Sequence, residues 1–106
     1  MTQADIFSGI CGFTTHVEAH MNGGNCILSI ESDCEAIQQL ATELSQVDPF
    51  QEISFRGQGP QILQLAAKHC AHAACPVAVG IIKAIEVEAG LALPADVTIR
   101  ISKRQP

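Results

Sequence analysis

The sequence predicts a two-layer α+β fold: an N-terminal β-hairpin, helices packed on one face of a sheet of three or four strands, and a C-terminal strand. Three observations predict it. Gly23-Gly24 separates two runs whose apolar residues fall on a common face when the runs are paired. Apolar stripes at helical spacing follow, first across residues 34–47 and again across 60–90. Finally, Val97, Ile99 and Ile101 alternate with Thr98, Arg100 and Ser102, the pattern of a half-buried strand. At 106 residues the chain is expected to form one domain, residues 1–106.

The predicted hairpin joins residues 9–21 to 25–32. Pairing Asn22 with Asn25 sets Met21 opposite Cys26, Ala19 opposite Leu28 and Val17 opposite Ile30, so one face is apolar on both strands. The other face carries His16, Glu18, His20, Ser29 and Glu31 and is expected in water. Ser32-Asp33-Cys34-Glu35 has the form of a capping box, with Ser32 as N-cap. The helix it starts buries Cys34, Ile37, Leu40, Ala41, Leu44 and Val47, and Asp48-Pro49 stops it. Residues 51–56 are expected to form a short third strand with Ile53 and Phe55 on one face, and 57–60 a turn. A second helix starts at Pro60 and runs to about His72. A third starts at Pro76 and ends at Gly90.

Composition narrows the function. The chain is 47% apolar but has four Phe and no Trp or Tyr, so the core is aliphatic and there is no stacking platform for single-stranded nucleic acid. The net charge is −5 and the six Lys and Arg are scattered, which argues against any nucleic-acid partner. The most apolar stretch, 76–93, is interrupted by Lys83, Glu86 and Glu88, against a membrane span. Residues 1–7 contain Asp5 and no apolar core of a secretory signal, so a cytoplasmic location is expected. There the five cysteines are reduced thiols, serving as packing, metal ligands or redox groups rather than a disulfide framework.

The thiols are not equivalent. Cys26 points inward beside Leu28 and reads as core. Cys34 falls in the first turn of its helix, where free N–H groups favour a thiolate. The extended hairpin register sets residue 34 opposite Phe13, one inward position from Cys11. Cys75 precedes Pro76, and cysteine followed by proline is a recurring setting for an iron–sulfur ligand. His72 is three residues before Cys75, a spacing that suits zinc, and Cys70 and His69 offer further donors. Against this stands simple packing: Cys70 sits four residues from Ala66, His69 or His72 can cap a helix, and paired Cys-x-x-Cys knuckles are absent. His16, Glu18 and His20, with Glu31 in reach, read as a solvated strand face, and Lys83 with Glu86 as an exposed pair.

Ile10-Cys11-Gly12-Phe13-Thr14-Thr15, Ser32-Asp33-Cys34, and His72-Ala73-Ala74-Cys75-Pro76-Val77 running into Lys83-Ala84-Ile85-Glu86-Val87 carry a resemblance. The chain resembles, over nearly its whole length, a family of small uncharacterised cysteine-containing proteins chiefly from anaerobic bacteria and archaea. The resemblance implies Cys11, Cys34, His72 and Cys75 as the matching positions, and an anaerobic setting suits an oxygen-sensitive cluster.

Three functions follow as expectations. The first is a metal- or cluster-binding protein using Cys11, Cys34, His72 and Cys75, with Cys70 as alternative fourth ligand and zinc or an iron–sulfur cluster as cofactor. The second is a thiol enzyme or redox sensor at Cys34 or Cys75. The third is a non-catalytic interaction protein, a homo-oligomer through the apolar third helix, whose cysteines are only core.

Overall fold

The hairpin closes at Gly23, whose φ of +64° is a left-handed value that glycine adopts without Cβ strain. In the computed structural model, which describes residues 1–105, it joins β2 (Thr14–Asn22) to β3 (Asn25–Ser32). The register sets Met21 opposite Cys26, Ala19 opposite Leu28 and Val17 opposite Ile30, as the apolar alternation requires. β1 (Thr2–Phe7) pairs with β2 and β4 (Gln46–Val47) with β3, giving a four-stranded antiparallel sheet of order β1-β2-β3-β4.

Four helices complete the α+β fold: α1 (Glu35–Thr42), α2 (Pro49–Glu52), α3 (Gln61–His69) and α4 (Val77–Glu88). The helices cover one face of the sheet. Val17, Ala19, Cys26 and Leu28 from that face meet Ile37, Leu40, Ile62, Ile81 and Ile85 in the buried core. The opposite face, with His20, Ser29 and Glu31, is exposed. Among the described residues, no helix is long and apolar enough to cross a membrane.

Two contacts orient α4. Gly80 lies against Ile6 of β1 so closely that a Cβ there would collide with the isoleucine side chain. At the other end, the Glu88 carboxylate accepts hydrogen bonds from the Thr2 hydroxyl (2.8 Å) and the Met21 backbone N–H (3.0 Å). The helix therefore runs antiparallel to β1. It begins at the end of the sheet where β1 finishes, β2 starts and β3 finishes. That end also carries the loop of Cys11 and the start of α1.

Four expectations are corrected. The first strand starts at Thr14 rather than at residue 9, because Gly9 (φ +90°) and Gly12 (φ +76°) turn a loop that the Ser8 N–H to Phe13 carbonyl bond (3.0 Å) closes. β1, unexpected, is formed by the stretch just before that loop, where half-buried Ala4 and Ile6 alternate with exposed Gln3, Asp5 and Phe7. Residues 51–56 do not form a strand. The Asp48 side chain accepts the Phe50 N–H (3.1 Å) and Pro49 opens α2, a helical turn that carries Glu52 inward. Val47 belongs to β4 instead of the helix stripe, with Ser45 O accepting from Leu28 N at 2.9 Å.

The fourth correction is the C-terminal strand. Gly90 ends α4 at φ +76°, and residues 91–105 form neither strand nor helix. Val97, Ile99 and Ile101 have the alternation of a strand, but among the described residues no strand pairs with them.

Candidate functional site

Cys34 is held by a short polar chain. Thr15, fully buried, shares a hydrogen bond with the Ser32 hydroxyl (2.8 Å), and Ser32 Oγ accepts the Cys34 N–H (3.1 Å). Ser32 is still paired in the sheet opposite Thr15, so it does not serve as N-cap. The helix opens instead at Cys34, whose carbonyl accepts from Gln38 N at 2.9 Å. The expected capping box is therefore absent, and Cys34 sits just ahead of the first turn.

Cys70 terminates α3. Its backbone turns extended (φ −90°, ψ 132°) and its N–H donates to Ala66 O at 2.8 Å, the last bond of that helix. Glu43, at the end of α1, fixes this terminus from the side: its carboxylate pairs with His69 and with Lys68 Nζ (3.1 Å). His69 first and Lys68 second hold the Glu43 carboxyl below its usual range. Cys75 lies immediately before Pro76, the N-cap of α4, and its N–H donates to His72 O at 3.3 Å.

The three thiols converge from three segments. Cys34, Cys70 and Cys75 are each half-buried and packed against the hydrophobic core. Burial pushes the Cys70 thiol above its ordinary range, and the neighbouring Cys75 and then Cys34 push it further. A cleft of about 400 Å³ opens beside them between α1, α3 and the start of α4, with Ile37, Leu40, Cys70, His72, Cys75 and Val79 on its walls. The side chains on its walls are apolar apart from the Cys70 and Cys75 thiols and His72, and Cys34 lies outside the lining.

The other expected residues are placed differently. Cys26 is fully buried in the core; burial first, and then the charge of Glu88, push its thiol up. Cys11 is exposed in the β1–β2 loop, at the same end of the sheet as Cys34 but outside the group that acts on Cys70. His72 is exposed at the mouth of the cleft. His16 pairs with Asp5 (2.7 Å) and approaches Glu18 (3.5 Å) on the open sheet face. Among the described residues, no group of three or more His, Cys, Asp or Glu side chains is placed so that it could hold a metal ion.

Sequence reasoning missed Glu52, Glu43 and the centrality of Cys70. Glu52 is 1% exposed and accepts the backbone N–H groups of Gln61 (3.1 Å) and Ile62 (2.9 Å), capping α3 from another segment. The signal for it was Pro60, which cannot cap through its side chain and leaves α3 needing an acceptor from elsewhere.

Fold and site together define a small α+β protein with a thiol-lined cleft at one end of an antiparallel sheet. The chain belongs to the Family of unknown function (DUF6951), whose profile matches residues 2–101. No curated protein and no solved structure matches it.

Proposed function

We propose that the protein binds a soft metal ion or an iron–sulfur cluster through Cys34, Cys70 and Cys75, with His72 or Cys11 completing the set. The observation that carries this reading is the convergence of three thiols from the start of α1, the end of α3 and the approach to α4, close enough for two of them to raise the third. Thiolates are the common donors of structural zinc and of iron–sulfur clusters. With its pKa raised, Cys70 keeps its proton until a metal displaces it, so binding releases protons and weakens in acid. As placed, no three donors among the described residues could hold an ion, so this reading requires the three thiols to draw closer on binding.

Cobalt(II) titration of the reduced protein tests this. Cys34→Ser, Cys70→Ser and Cys75→Ser each weaken the sulfur-to-cobalt charge-transfer band and the affinity for cobalt, whereas Cys26→Ala leaves both unchanged. A band of undiminished strength in all three serine variants, or one that never forms, refutes the reading.

Thiol redox chemistry at Cys34 or Cys75 is the second reading, favoured by the nearness of the Cys75 and Cys70 side chains. A small-molecule disulfide would oxidise the pair: an S–S bond forms between Cys70 and Cys75, two protons leave, and the oxidant becomes two thiols. The raised Cys70 thiol slows that exchange at neutral pH, so the metal reading stands first.

A further inference from the structure

Three apolar side chains after α4 are mostly exposed: Val97 is 55%, Ile99 73% and Ile101 90% exposed. They alternate with Thr98, Arg100 and Ser102, the pattern of a strand with one dry face. Nothing in a solvated loop calls for β-branched residues at every second position. The molecule measures 53 × 29 × 27 Å, elongated well beyond its two-layer body.

An unfilled position matches this segment. β1 is an edge strand of six residues, paired only with β2, and an open edge is a template for another strand. Its helix-facing residues Thr2, Ala4 and Ile6 are only half-buried, so the dry layer between sheet and α4 stays open along that side. A strand added there with Val97, Ile99 and Ile101 toward α4 continues the layer past Ala4 and Ile6. The same placement turns Arg100 to the open sheet face, the face that carries Asp5. Charge favours the match. Arg100, Lys103 and Arg104 stand against one acid, Asp96, after residue 93, while residues 1–93 hold three basic and ten acidic side chains.

We infer that residues 96–102 of one copy add as a strand to β1 of a second copy, and that the exchange is mutual, giving a strand-swapped dimer. The segment's own β1 is not its partner, since the chain carries 97–101 into solvent and leaves that edge unpaired. Main-chain hydrogen bonds would supply the attachment and the alternate apolar side chains the register.

Light scattering coupled to size exclusion on the full chain, with amide hydrogen exchange, tests the inference. Wild type is expected at twice 11.2 kDa, with slow exchange in both β1 and 97–101. The variant Ile99→Asp/Ile101→Asp is expected at 11.2 kDa, with fast exchange in both segments and an unchanged helical contribution to the circular dichroism spectrum. Arg100→Glu is a milder probe, weakening dimerisation about tenfold through one charge pair. A wild type that stays monomeric at high concentration overturns the inference, whether 97–101 is protected on its own sheet or exchanges freely. A dimer indifferent to the paired aspartates overturns it too, placing the contact elsewhere.

Discussion

The Cys70 thiol is held above its ordinary range by burial first and then by the charge of Cys75, five residues further along the chain. The two cysteines end one helix and lead into the next, so the turn between them fixes their approach.

A reactivity order follows. With iodoacetamide at neutral pH, exposed Cys11 is expected to label fast and Cys70 slowly, with Cys26 slowest because its thiol is both fully buried and raised. Peptide mass mapping of a time course checks this; Cys70 labelling as fast as Cys11 would contradict the burial assigned to it.

Glu52 carries a clear stability prediction. Glu52→Ala strands two backbone donors at the start of α3 and is expected to cost about 2–4 kcal/mol. Glu52→Gln keeps one acceptor and is expected to cost about half as much. Urea denaturation of the three proteins reads the order directly.

Gly80 predicts a coupled pair. Gly80→Ala forces Ile6 from its place and is expected to destabilise by about 1–2 kcal/mol, despite alanine's better helix propensity. In an Ile6→Ala background the collision is gone, and the same substitution is expected to be neutral or to stabilise by up to about 1 kcal/mol. Equal effects in both backgrounds would mean that α4 does not pack on β1 as described.

His16 titrates above the usual 6.5, chiefly because the Asp5 carboxylate bonds to it, with Glu18 adding to the effect. A raised imidazole stabilises the fold below its unfolded pKa, and that contribution is lost as pH rises through the folded one. The stability gap between wild type and Asp5→Asn is therefore expected in full below about pH 6.5, while Asp5 is ionised, and to close at higher pH. Proton NMR of His16 is expected to show its titration falling toward 6.5 in Asp5→Asn.

Much of this was legible in the sequence, for identifiable reasons. The Gly23-Gly24 turn and the alternation from Val17 to Ile30 fix a register that local chemistry determines alone. Pro76 and Gly90 bracket α4 closely. Other elements depend on partners distant in sequence. Ser32 looks like a cap but remains in the sheet because buried Thr15 holds its hydroxyl. Ile53 and Phe55 look like strand residues, yet Asp48 and Pro49 start a helical turn just before them. The alternation at Val97 to Ile101 has the pattern of a strand, yet among the described residues no strand pairs with it. For the site, the places of Cys34 and Cys75 at helix starts were visible in the sequence. The nearness of Cys70 to both was not, since its neighbours arrive through tertiary packing.

The central claim is that Cys34, Cys70 and Cys75 hold a metal or cluster. Elemental analysis of protein purified without oxygen, combined with a thiol count under native conditions, tests it most directly. The expected result is about one zinc ion, or iron with matching sulfide, per chain, and three or four of the five cysteines protected until the metal is chelated. Less than about half an equivalent of metal, with all five thiols titrating freely once the protein is unfolded and no fewer reacting with chelator absent than present, would contradict it.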